Sequence, residues 1–65
     1  MKISSQRIEG LLAERGLTKK ALADLCEISA QNISTIIRRG TCEPRTAGRL
    51  AVGLGVPVAD IMQEE

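Results

Sequence analysis

The stretch from Thr18 to Gly40, TKKALADLCEISAQNISTIIRRG, leaves this chain few ways to fold. Leu22, Ala23, Leu25 and Cys26 recur at helical spacing, and Ile33, Ile36 and Ile37 repeat the pattern at i, i+3 and i+4. A hydroxyl residue precedes each run. Thr18 and Ser29 can each accept a hydrogen bond from a backbone N–H that the first turn of a helix leaves unpaired. Gly40 is placed to end the second run, since glycine enters the left-handed C-cap conformation without a Cβ clash. The pattern predicts two short helices joined by a tight turn, the second over about residues 29–39.

The polar residues between the isoleucines carry the functional signal. Ala30, Gln31, Ser34, Thr35 and Arg38 fall on or beside the face opposite Ile33 and Ile36. Such a face suits the major groove of DNA. Gln pairs with adenine through two hydrogen bonds, Ala, Ser and Thr allow close approach, and Arg takes guanine or phosphate. A polar outer face is also what any surface helix carries, so the flanking pattern has to decide.

The remaining elements surround this pair. A first helix is expected from Ser4 or Ser5 to about Arg15, with Ile8, Leu11 and Leu12 as its buried stripe and Gly16 as its end. Pro44 suits the first turn of a fourth helix, which buries Leu50, Ala51 and Leu54 and stops at Gly55. A last short helix is expected from near Val58 to about Gln63. The fold class is therefore all-α, five helices in one domain over residues 1–65. With no Phe, Tyr or Trp, aliphatic side chains supply the whole core. A core this small is marginal alone and would benefit from a partner subunit. Val56, Val58, Ile61 and Met62 are many apolar residues for so short a terminus, which makes them candidates for a dimer surface as well as for the core.

The two-helix segment resembles the helix-turn-helix of the Cro/CI-type repressors and the Xre-type bacterial regulators. The family pattern spans about 20 residues, here Lys19 to Arg38. Its apolar places hold Leu22, Cys26, Ile28, Ile33 and Ile36, and its small-residue place holds Ala23. Gly16, Leu17 and Thr18 before the motif, Gly40 and Pro44 after it, and LAVGLGVPVADIM near the end also resemble the family. Three positions depart from it. Glu27 stands where the turn usually has Gly, at a cost of about 1 kcal/mol if the backbone there is left-handed. The interval from Ile33 to Gly40 is one residue longer than usual. Ile37 replaces a Glu that relatives pair with an Arg in the first helix, where this chain has Leu12, an exchange of an ion pair for packed hydrophobes.

The resemblance implies a lambda-repressor-like fold and a sequence-specific, double-stranded DNA-binding regulator, most simply a repressor. Base readout falls to Gln31 first, then Thr35, Ala30, Ser34 and Arg38, with Asn32 nearer the flank. Phosphate contacts fall to Thr18, Lys19, Ser29, Arg39, Thr41 and Arg45. A homodimer paired through the C-terminal helix would place two recognition helices in successive major grooves about 34 Å apart, on an inverted repeat. The alternative is an antitoxin or anti-repressor module that acts mainly by gripping a protein partner encoded nearby, through residues 56–62.

Charge fits a DNA partner in its distribution more than in its total. Net charge is only +1, but residues 18–49 hold six basic side chains against three acidic ones, while residues 50–65 hold Asp60, Glu64 and Glu65 and no base. The acidic end is expected to face away from DNA. An enzyme is not expected, because there is no His, no Gly-rich phosphate loop and no metal cluster. Cys26 sits at an apolar helix position and Cys42 in a loop, without the spacing of a zinc site, so neither a metal nor a cofactor is expected. There is no apolar run of about 20 residues and no signal-like N-terminus, so the expected location is cytoplasmic and away from membranes.

Overall fold

Local capping sets the helix boundaries. In the computed structural model, which describes residues 1–63, the chain forms α1 (Ser5–Arg15), α2 (Lys19–Cys26), α3 (Ala30–Arg39) and α4 (Pro44–Leu54), closed by a 3-10 helix over Val58–Ile61. Ser4 Oγ accepts from the Arg7 N–H at the start of α1, Thr18 Oγ1 from Ala21 at α2, and Ser29 Oγ from Asn32 at α3. Pro44 occupies the first turn of α4, whose N-cap Glu43 makes no side-chain cap bond. Gly16, Gly40 and Gly55 end their helices in the left-handed conformation. Glu27 does the same for α2 at φ 59°, so the turn keeps the left-handed shape expected there even though it carries a side chain. The longer interval after Ile33 is taken up by helix, since α3 continues through Arg39 to Gly40.

The buried side chains form one cluster. Ile8 and Leu12 come from α1, Leu22, Ala23 and Cys26 from α2, Ile33 and Ile36 from α3, and Ala47, Leu50, Ala51 and Leu54 from α4. Leu11, Ile28 and Ile37 are half-buried against it. The Leu12 and Ile37 pair thus stays apolar on both sides. Two helices approach closely at Gly53, where an added Cβ would lie within 2.4 Å of Cys26 Sγ, so only glycine admits α2 at this distance.

The two chain ends meet in a way the periodicity does not announce. Ile3 is buried, and its N–H donates to the Gly40 carbonyl at 2.9 Å while the Cys42 N–H donates to the Met1 carbonyl at 3.0 Å. On the other side the Ser4 N–H donates to the Ile61 carbonyl at 2.8 Å. Lys2 bridges Thr41 and Ile3 bridges Met62, both antiparallel. An extended N-terminal segment therefore ties the loop after α3 to the end of the chain.

Two expectations for that end need correcting. The last helix is 3-10 and stops at Ile61, two residues short of Gln63. Four residues span barely more than one 3-10 turn, and pairing with Lys2 and Ile3 draws the following residues into extended backbone. Ile61 is 0% exposed and belongs to the core, which removes it from any dimer surface. The Ser4 N–H holds its carbonyl, and Ile3 pairs with the next residue, Met62. Val56 and Val58 are half-buried against the core, and Met62 remains 37% exposed. Glu64 and Glu65, two of the three acids of the expected acidic end, lie outside the described residues.

Candidate nucleic-acid interface

Burial of Ile33 and Ile36 fixes how α3 is rotated, and that rotation decides which side chains face outward. The Ser5 hydroxyl donates to the Ile37 carbonyl near the end of the helix and holds it against α1. Ala30, Gln31, Asn32, Ser34, Arg38 and Arg39 are exposed. Thr35 is half-buried, and its hydroxyl donates to the Gln31 carbonyl at 3.0 Å. That bond commits the Thr35 proton to the helix, leaving its methyl and oxygen lone pairs for a partner. Arg38 and Arg39 are exposed and make no ion pair with any described residue, and a guanidinium's planar fork of donors suits an outside acceptor such as phosphate.

The structure sorts the remaining sequence-predicted residues into several places. Thr35, Arg39 and Thr41 line one cleft between α3 and the loop leading to α4. Asn32 and Thr46 line it as well. Asn32, Thr35 and Arg39 stand at i, i+3 and i+7, so the helical period itself puts Asn32 on the cleft side of α3. Thr46 gave no such signal, because its place depends on how α4 crosses the end of α3. Glu43 also lines the cleft and puts one acid among these donors.

Thr18 and Ser29 are exposed, with one hydroxyl lone pair spent on each cap. Their hydroxyl protons and the N–H groups ahead of the capped Ala21 and Asn32 can face an anion, as at other helix N-termini. Lys19 Nζ lies 3.6 Å from Glu9 Oε1, a pairing with α1 that residue spacing could not show. Both side chains are about half exposed, so the pair is weak and can yield to a phosphate. Arg45 is not in the cleft; it lines a separate groove between α4 and the end of α2.

The thiols are not activated. Burial pushes the Cys26 thiol above its ordinary pKa, only partly offset by a hydrogen bond with the Gly53 backbone, and burial pushes the Cys42 thiol up too. Among the described residues no group of His, Cys, Asp or Glu could hold a metal ion, and no helix is long and apolar enough to cross a membrane.

Comparison with curated proteins and with solved structures gave no match. The family model of the Cro/C1-type HTH DNA-binding domain matches residues 7–64, which include all of α2, α3, α4 and the 3-10 helix and all but the first two residues of α1. With a capped pair of helices, a left-handed turn between them and a polar face on the second, the chain belongs to the Cro/C1-type helix-turn-helix DNA-binding family.

Proposed function

We propose that the protein is a sequence-specific transcriptional regulator of the cytoplasm that lays α3 in the major groove and most simply represses, by occupying a promoter that polymerase needs. The observation that carries this reading is the outward face of α3, mostly polar and ending in two arginines that make no ion pair with a described residue. Gln31 is the principal base-reading residue, supported by Ala30, Ser34, Thr35 and Arg38. Asn32 joins them from the cleft side. Thr18, Lys19, Ser29, Arg39 and Thr41 hold phosphates. Arg45 does so only from the edge of the interface, because it lines a different groove.

The regulator acts as a homodimer on an inverted repeat. With Ile61 in the core, the C-terminal dimer surface reduces to Met62 and the outer parts of Val56 and Val58. The testing experiment is selection from random duplexes of about 30 base pairs at near-physiological salt. The expected product is an inverted repeat with half-sites about one helical turn apart. A single enriched half-site would remove the dimer from the reading. Retention that shows no enrichment and vanishes as salt rises would leave electrostatic affinity alone and overturn sequence-specific regulation.

A further inference from the structure

Leu25 and Val52 are the most exposed of the large apolar side chains described, at 56% and 82%. They are not scattered. Both line one groove between the end of α2 and α4, on the side of the molecule that holds Arg45 and not on the cleft of Thr35 and Arg39. Burying such a pair is favourable wherever a partner can cover it. No described residue covers them.

The groove also carries charge of both signs. Glu27 stands on the α2 side, and Arg45 and Arg49 stand one turn apart on α4. None of the three makes an ion pair with a described residue. Glu27 moreover holds its charge at φ 59°, where glycine would sit without strain. DNA would meet Glu27 and two apolar side chains here, which is a poor match. An acidic partner would satisfy the arginines and repel Glu27, and a basic partner would do the reverse.

We propose that this groove is a self-association surface and that its occupant is the same groove of a second copy. About a two-fold axis, Glu27 of each copy faces Arg45 and Arg49 of the other, and the Leu25 and Val52 pairs close over one another. A patch with an apolar centre and opposite charges on its two walls is self-complementary, which is what an isologous contact requires. The surface is distinct from the Met62 edge, so it can join copies already paired there.

Sedimentation velocity over a wide concentration range, without DNA, tests this. Val52→Asp and Glu27→Arg should each weaken self-association by about tenfold or more. Adding Arg49→Glu to Glu27→Arg should restore it, because the pair is then reversed and not lost. Arg49 is used because it has no part in the DNA reading. Met62→Asp should leave this association step in place. Helicity by circular dichroism separates a docking defect from a folding one, and affinity for a single half-site duplex reports on DNA recognition separately. A wild-type protein that stays monomeric at millimolar concentration overturns the proposal. So does self-association indifferent to Val52→Asp and Glu27→Arg, or lost only with Met62→Asp. In any of these cases the groove would be left for a different protein.

Discussion

Helix α3 and the closing segment Val56–Met62 are both rich in apolar residues, yet they behave differently. In α3 the apolar residues follow the helical period, so Ile33 and Ile36 go inward and Gln31, Ser34 and Arg38 go outward together. In the closing segment the period is too short to define a face. Ile61 is fully buried, Val56 and Val58 are half-buried against the core, and Met62 is exposed. A repeated period declares its own orientation, whereas a single turn takes its orientation from its neighbours.

The contrast is sharpest at adjacent residues of the closing segment. Ile61→Ala should lower unfolding free energy by about 2–5 kcal/mol, as expected for a truncated core aliphatic, and Met62→Ala by no more than about 0.5. Equal losses in chemical denaturation would show that Ile61 is not the buried member. On α3, Gln31→Ala should leave stability nearly unchanged and cost about 1–3 kcal/mol at the selected operator, with little effect on random DNA. An equal loss on both would remove Gln31 from base readout.

Between these regions, Gly53→Ala should destabilise by about 1–3 kcal/mol through overpacking against Cys26, although alanine is the better helix former. A gain in thermal stability would mean that α2 and α4 separate freely. Glu27→Gly should stabilise the monomer by about 1 kcal/mol by removing left-handed strain, and should at the same time weaken self-association. The smallest effect is expected for Lys19→Ala, which should reduce the slope of log affinity against log salt by about 1. An unchanged slope would show that Glu9 keeps Lys19 from the phosphate backbone.

Most of the α3 interface was legible because its causes are local. Thr18 and Ser29 cap the helices as their positions require, and the isoleucine spacing sets which polar residues face outward. The place of Asn32 beside Thr35 was legible too, since the two stand at i and i+3. Thr46 and the Lys19 to Glu9 pair were not, since each depends on how separate helices cross.

By itself the sequence determined four helices, their caps and the polar face of α3, because capping and period act over a few residues, while the structure showed that the turn at Glu27 is left-handed. Only the tertiary structure decided that Ile3 is core, that Ile61 is core and bonded through its carbonyl to Ser4, that Gly53 must stay small, and that Leu25 and Val52 share one groove. These depend on segments far apart in the chain coming together, and no local pattern records which partner a residue will meet.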